Sequence, residues 1–195
     1  NLDDSPSQPL LAMELAAILG TDVPTREWTA LCAASSIVPP QQVLDEMVES
    51  DLVAINPEGW SFQHQAFRET LLQTAQEGGR LADHPLRAAH TLRSLYTDDQ
   101  PGLALRLSLH LDAAGQKTKA LEFVLRAANQ AQIRCDFELA HAQFQRYQRL
   151  LDELGVRAGD PQRARGWIDR ARTLLRQGEL AGADHLLQRA ENTAR

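Results

Sequence analysis

The chain contains little cysteine, few aromatic residues and no long apolar run. Its 195 residues include two cysteines, and aromatic side chains make up 5% of the composition. Cys32 and Cys135 lie far apart in apolar helical contexts, so the sequence predicts neither a disulfide framework nor a paired-cysteine metal motif. No run approaches the roughly 18 apolar residues of a membrane span. We therefore expect a cytoplasmic protein with no membrane partner.

Lysine is absent from the first half of the chain. Residues 1–97 contain five arginines and thirteen acidic residues, a formal net charge of −8. Residues 98–195 carry fifteen basic and thirteen acidic residues, a net charge of +2. A chain of this length can bury one large core or two small ones. The contrast in charge favours two domains of different electrostatic character.

Motifs of catalysis and metal binding are also missing. The sequence has no P-loop of the form G-x-x-x-x-G-K-[ST], no nucleophile elbow and no recognisable acid/base pair of carboxylates. Six histidines occur, but none forms an H-x-x-x-H or H-E-x-x-H pair. We expect no catalytic residue and no metal site here, and we do not expect this chain itself to be an enzyme.

The first half predicts three helices followed by a β-hairpin. The predicted helices span residues 10–19, 25–34 and 41–50. Gly20 stops the first of them, and Thr25 is expected to be the N-cap of the second. Short strands are predicted at 52–55 and 60–62. This order predicts a winged-helix domain at about 8–78 with its β-wing at about 52–62.

Helical periodicity continues through the rest of the chain. A helix at about 64–76 ends at Gly78-Gly79, and another at about 80–96 lies in a connecting segment at 79–99. Further helices are predicted at about 103–114, 117–133, 137–154, 161–177 and 180–194.

The second half also repeats a register of small residues. Residues followed five positions later by alanine stand at Gly115, Cys135 and Gly178. Twelve positions after them come Ala127, Tyr147 and Ala190. A small residue lets one helix end tightly, and an alanine early in the next lets the two backbones approach.

This register predicts tetratricopeptide-like repeats at 100–195. Its copies are 20 and then 43 residues apart, so the array is expected to be incomplete and to begin irregularly. The expected fold is mainly α: a winged helix followed by an α-solenoid of tetratricopeptide-like helix pairs.

Several motifs together resemble a known family. The ordered set is Glu14-Leu-Ala-Ala-Ile-Leu-Gly20, the wing, Phe62-Gln-His-Gln-Ala-Phe-Arg-Glu-Thr-Leu71, His110-Leu-Asp-Ala-Ala-Gly115 and Lys119-Ala-Leu-Glu-Phe-Val-Leu-Arg-Ala-Ala128. It is similar to the region after the ATPase core in bacterial STAND-type signalling NTPases. Those are large regulators, often fused to protein kinases, adenylate cyclases or LuxR-type transcription factors, in which a winged helix leads into tetratricopeptide repeats.

The resemblance covers nearly the whole chain and implies a fragment of a longer protein. The ATP/ADP-binding core is then expected upstream of Asn1, where it would be a partner in cis. No cofactor is expected in the fragment itself.

One branch of this family, the immune receptors and apoptosome proteins, ends its winged helix in a Met-His-Asp signature. Its histidine approaches the phosphates of the bound nucleotide. Gln63-His64-Gln65 resembles this stretch, with Gln65 in place of the aspartate. The resemblance implies that His64 senses the nucleotide phosphate in the intact protein, aided by the dipole and free amides of a helix N-terminus. The alternative is that His64 packs against or caps that helix.

The predicted third helix argues against nucleic-acid binding. It carries the carboxylates of Asp45, Glu46 and Glu49 and no basic residue. DNA binding relies on Lys and Arg contacts to phosphates, so this helix would be repelled. We expect the winged helix to pack against the ATPase core instead.

Basic residues concentrate on one predicted helix of the last third. Arg165, Arg172 and Arg176 are spaced by seven and four residues, which puts them on one stripe. The stripe predicts a groove for a protein or peptide partner with acidic groups. The alternative is a solvated face balanced by Asp160 and Asp169. The last helix is also expected to expose apolar surface and to permit self-association.

These observations predict a regulatory, protein-interaction fragment of a signal-transduction ATPase. In that reading the winged helix couples nucleotide state to the repeat array, which binds a protein or peptide. Two alternatives stay open: a stand-alone tetratricopeptide scaffold with an inert winged helix, and a DNA-binding transcriptional regulator.

Overall fold

A computed structural model describes residues 6–194 of the chain, which form two compact units. The first unit reaches to Thr97 and includes Ala113–Gly115. The second comprises Asp98–Asp112 and the residues from Gln116 onward. The described residues are mainly helical, with ten helices and a three-stranded sheet. Arg195, the last residue of the predicted repeat segment, lies outside the described residues.

The order of elements follows the chain. It begins with α1 Gln8–Leu19, β1 Asp22–Pro24, α2 Thr25–Ala34, α3 Gln41–Glu49, β2 Val53–Asn56, β3 Gly59–Phe62, α4 Gln65–Glu77 and α5 Asp83–Leu95. It continues with α6 Leu103–Ala113, α7 Lys117–Ile133, α8 Phe137–Glu153, α9 Pro161–Gln177 and α10 Leu180–Ala194. None of the helices within the described range is long and apolar enough to span a membrane.

The strands form an antiparallel sheet in the order β1-β3-β2. β2 and β3 form a hairpin in which Val53 lies opposite Phe62. β1 is a strand that the sequence did not predict, because its partner β3 lies far along the chain and no local pattern marks it. A Cβ on Gly59 would collide with the backbone of Val23 and Thr25, so glycine is required for this close approach.

The N-cap of α2 and the start of α5 differ from the sequence prediction. The sequence predicts Thr25 as the N-cap of α2, but Thr25 is the first helical residue. Pro24 occupies the N-cap position, and no side chain makes a capping hydrogen bond. The Thr25 amide instead donates to the carbonyl oxygen of Glu58 at 3.0 Å. α5 begins at Asp83 and not near Arg80, because the Arg80 amide closes the preceding turn onto the carbonyl oxygen of Ala75 at 2.8 Å.

Helix α1 is the buried centre of the first unit, and side chains from other elements bond to its carbonyl oxygens. The indole Nε1 of Trp28 donates to Ala12 at 2.8 Å, and Nε of Arg68 donates to Ala17 at 2.9 Å. Trp28 also packs edge-on against Trp60, with ring centroids 5.3 Å apart. These contacts tie α2 and α4 to α1, and β3 to α2.

A fully buried carboxylate, that of Glu14, joins α1 to the start of α5. Arg80 donates to it through Nε at 2.9 Å and Nη2 at 2.7 Å, and Nε2 of His84 lies 3.1 Å from it. Burial opposes ionisation of Glu14, but the hydrogen bonds from Arg80 and His84 outweigh it. The pKa of the Glu14 carboxyl is therefore held below its ordinary value.

In the second unit, each helix from α7 to α10 packs against the next. The predicted tight helix ends are present, because φ is positive at Gly115 (71°), Cys135 (60°) and Gly178 (82°). The alanines five positions later are fully buried: Ala120, Ala140 and Ala183. The residues at the twelve-residue spacing are also buried: Ala127, Tyr147 and Ala190. Small side chains at these positions let neighbouring helices approach closely.

The Glu14 cluster predicts a specific dependence of stability on acid. Because the pKa of Glu14 is lower in the folded state, its carboxylate stabilises the fold fully at pH above the unfolded-state pKa, near 4.5. This stabilisation is lost as pH falls through the folded-state pKa. We expect Glu14→Gln to lower the free energy of unfolding at pH 7 by about 3 kcal/mol, because the neutral amide removes the buried negative charge that pairs with Arg80. The variant should also lose part of the decline in stability below pH 5. Urea unfolding followed by circular dichroism measures both effects.

The matched control is Glu58→Gln, which changes an exposed carboxyl of the same unit. It should leave the free energy of unfolding at pH 7 within about 0.5 kcal/mol of the wild-type value. Equal stability of the Glu14 and Glu58 variants at pH 7 would contradict a structural role for the buried carboxylate.

Candidate functional site

Helix α9 carries the predicted arginine stripe, and its ends are defined by its own sequence. Asp160 is the N-cap, and its carboxylate accepts a hydrogen bond from the Gln162 amide at 2.8 Å. Pro161 occupies the first turn, where a missing amide hydrogen costs nothing. Gly178 ends the helix in a left-handed conformation. The 17 residues between these signals give the stripe a rigid support.

The two sides of α9 differ in chemistry. Trp167, Ala171 and Leu174 are buried in a core shared with α10. Gly166 lies against α8, where a Cβ would come within 2.5 Å of Nε2 of Gln148. The opposite side carries the three predicted arginines, all exposed: Arg165, Arg172 and Arg176. We call this exposed side, with its flanking groove residues, the α9 face.

Two shallow grooves lie along the α9 face and share Arg172. The first, of about 640 Å³, has Arg165, Ile168 and Arg172 in its wall, together with Thr193 of α10. The second, of about 660 Å³, lies between α9 and the end of α7, where Ile133 contributes to its wall. Leu175 and Arg176 complete the α9 side of the second groove. The predicted arginines are therefore brought together on one surface.

Arg172 is held by an acidic neighbour on its own helix. Its Nη1 donates to Oδ1 of Asp169 at 3.0 Å, although 68% of the Arg172 side chain remains exposed. Gln132 of α7 donates through Nε2 to the carbonyl oxygen of Asp169 at 3.1 Å and to Oγ1 of Thr173 at 2.7 Å. These bonds fix the end of α7 beside the turn of α9 that carries Arg172.

Other arginines of the same region serve the interior. Arg163, which is only 9% exposed, binds Asp152 through Nη1 at 2.6 Å and the carbonyl oxygen of Val156 through Nη2 at 2.7 Å. It thereby holds the α8–α9 connection. Arg146 similarly binds Asp112 at 2.8 Å and the carbonyl oxygen of Ser108 at 3.0 Å. A high local count of arginines in the sequence therefore does not by itself mark a binding surface.

Behind the α9 face, Arg170 contacts His141 of α8. Nη2 of Arg170 lies 3.2 Å from Nε2 of His141, and because a guanidinium only donates, this nitrogen accepts and the ring is neutral. Burial and the charge of Arg170 lower the pKa of His141, and the charge of Glu179 opposes them to a smaller extent. Burial and the charge of Arg189 lower the pKa of Arg170.

This contact predicts that the second unit is less stable in mild acid. Because the pKa of His141 is lower in the folded state, the neutral ring stabilises the fold fully at pH above the unfolded-state pKa, near 6.5. This stabilisation is lost as pH falls towards the folded-state pKa. We expect His141→Gln, whose amide oxygen can still accept from Arg170, to reduce the loss of stability between pH 7.5 and 5. Urea unfolding across that range measures the difference. The control His185→Gln, on an exposed ring of α10, should follow the wild-type curve; identical slopes for all three proteins would contradict the prediction.

His64 belongs to the first unit, whereas the residues of the α9 face belong to the second. It occupies the N-cap position of α4 with extended backbone geometry, and its side chain makes no capping hydrogen bond. Its carbonyl oxygen accepts from the Phe67 amide at 3.1 Å. The ring is exposed beside the first turn of α4. The capping alternative for the side chain is therefore wrong.

Sequence reasoning did not identify Gln132 and Ile133 as part of the α9 face. They come from α7, and no local signal links that helix end to α9. Asp169 does lie near the stripe in sequence, and its bond to Arg172 joins residues three apart on α9. Among the residues that the structure describes, no cluster of three or more His, Cys, Asp or Glu side chains could hold a metal ion.

Comparison of the chain with protein-family models, with curated proteins and with solved structures gave no significant match. A function must therefore be inferred from the residues and geometry of this chain.

Proposed function

We propose that the chain is a regulatory, protein-interaction fragment of a bacterial STAND-type signalling ATPase. Residues 8–78 would form its winged helix, and the helices from about 100 its tetratricopeptide-like array. Two features support this proposal. Three helices precede an antiparallel hairpin in the first unit, and fully buried alanines follow tight turns in the second.

In this proposal the winged helix couples the nucleotide state of an upstream ATPase core, loaded with ATP or ADP, to the array. The array binds a protein or peptide and biases an on/off equilibrium. The fragment itself performs no catalysis and acts in the cytoplasm. Exposed carboxylates on α3, those of Asp45, Glu46 and Glu49, favour a protein neighbour for the winged helix over DNA.

The observation that carries the binding role is the α9 face. Three exposed guanidiniums lie beside exposed aliphatic side chains on rigid helices, in two grooves large enough for side chains of a partner. Ile133 is 82% exposed and Leu175 is 47% exposed. Exposed apolar side chains next to a group of charged side chains are typical of a protein-interaction surface.

The binding role is tested by site-directed photo-crosslinking in the bacterial host. Benzoylphenylalanine replaces Leu175 within the α9 face or, for comparison, the exposed Gln145 of α8. We expect a discrete crosslinked partner from position 175 only. Combining Arg165→Glu, Arg172→Glu and Arg176→Glu should reduce its yield more than about tenfold, since charge-assisted contacts are removed and reversed.

The matched control reverses three exposed cations elsewhere, through Lys119→Glu, Arg149→Glu and Arg157→Glu. It changes the net charge equally and should preserve the crosslink. Crosslinking that is equal from both positions, or unaffected by the α9 substitutions, would show that the array does not bind through this face.

The nucleotide role is tested at His64 in the intact parent protein. We expect His64→Ala to lower retention of bound ADP and to raise basal output activity, because in this proposal the ring donates to a phosphate oxygen in the closed state. Nucleotide content after purification measures the first effect. Gln63→Ala, at the exposed neighbouring position, is the control. Unchanged nucleotide retention and activity in the His64 variant would favour an inert winged helix joined to a scaffold.

A further inference from the structure

The spacing of side chains along the α9 face has a chemical pattern. Arg165, Ile168, Arg172, Leu175 and Arg176 follow one another at intervals of three, four, three and one residues. On a helix that rises 1.5 Å per residue, the outer two arginines are separated by about 16 Å along the axis. The pattern alternates cationic and aliphatic side chains over about three turns of helix, the length of a short amphipathic helix in a partner.

The charge of the face is unbalanced. Among the described residues that form the two grooves, three arginines are opposed by one carboxylate, that of Asp169. Arg163 and Arg146 of the second unit each bind a carboxylate and a backbone carbonyl oxygen at 2.6–3.0 Å. Arg172, by contrast, pairs with Asp169 alone and remains mostly exposed. A partner that supplied carboxylates would complete the pairing.

We propose that the α9 face binds an acidic amphipathic helix, with carboxylates directed to the arginines and aliphatic side chains directed to Ile133, Ile168 and Leu175. In the same proposal Asp169 is an intramolecular competitor, which occupies Arg172 until a carboxylate of the partner replaces it. The proposal rests on the proposed binding role and specifies both the class of partner and the residue that limits its affinity.

Asp169 is well placed for this competition. Its carboxylate is only 14% exposed and accepts a hydrogen bond from Arg172, and Gln132 of α7 bonds to the backbone of the same turn. Arg172 must therefore exchange one carboxylate for another when the partner binds, so the lost pairing with Asp169 reduces the net gain in affinity. Removing the Asp169 charge leaves the full interaction with Arg172 to the partner.

The test uses the full chain and a fluorescein-labelled peptide helix, in which glutamate and leucine share one face at three- and four-residue spacing. Fluorescence anisotropy gives the dissociation constant. We expect Arg172→Gln to weaken binding at least tenfold. Asp169→Asn should tighten binding about threefold, because the free energy of one surface ion pair corresponds to a change of about that size in the dissociation constant. Affinity should fall as NaCl is raised from 50 to 300 mM.

Three controls isolate the proposed contacts. Asp184→Asn removes an exposed carboxylate of α10 and makes the same change in net charge, so it should leave the dissociation constant unchanged. A peptide with glutamine for glutamate tests the need for carboxylates. A peptide with serine for leucine tests the need for aliphatic contacts. Both substituted peptides should bind at least tenfold more weakly.

The proposal is overturned if Asp169→Asn binds no more tightly than Asp184→Asn, or if Arg172→Gln binds as tightly as wild type. Absence of peptide binding also overturns the choice of partner. If the crosslink from position 175 is then still lost on reversing the α9 arginines, the binding role stands and only the partner class is wrong. If that crosslink is insensitive as well, the proposed function fails with it.

Discussion

The second unit depends on one constraint: its helices must approach each other closely at fully buried alanines. Ala120, Ala140 and Ala183 have no Cγ, so the backbones of neighbouring helices can approach without a side chain between them. The tight turns at Cys135 and Gly178 reverse the chain so that the next helix packs against the preceding one. α9 packs against α10 at Ala183 and against α8 at Gly166. One side of α9 is therefore buried, and only the other is available for recognition.

The orientation of α9 decides which arginines bind groups in the interior and which remain on the surface. Side chains whose position on the helix points inward bind carboxylates and carbonyl oxygens, as Arg163 does at the α8–α9 connection. Side chains on the outer stripe remain in solvent and define the α9 face. The same residue type therefore performs structural and surface roles within one helix, and the angle around the helix axis decides between them.

The first unit depends on a different interaction, the burial of a charge. Glu14 is a costly residue at the centre of an apolar helix, and it is tolerated because Arg80 and His84 satisfy its oxygens. The cluster lies at the start of α5, since Arg80 stands just before the helix and His84 lies in its first turn. The two units thus illustrate two solutions to holding helices together, small side chains in one and a satisfied buried ion cluster in the other.

Much of the helical framework could be predicted from sequence, because caps and periodicity act within a few residues. The bounds of α7, α9 and α10 match the predicted ranges, and the arginine stripe follows from spacing alone. β1, the Glu14 cluster and the contribution of Gln132 could not be predicted, since each depends on a partner distant in sequence. By itself the sequence determined where helices form and which side chains share a helical face. Only the tertiary structure decided which faces are buried and which charges meet, because those depend on distances between elements that no local pattern encodes.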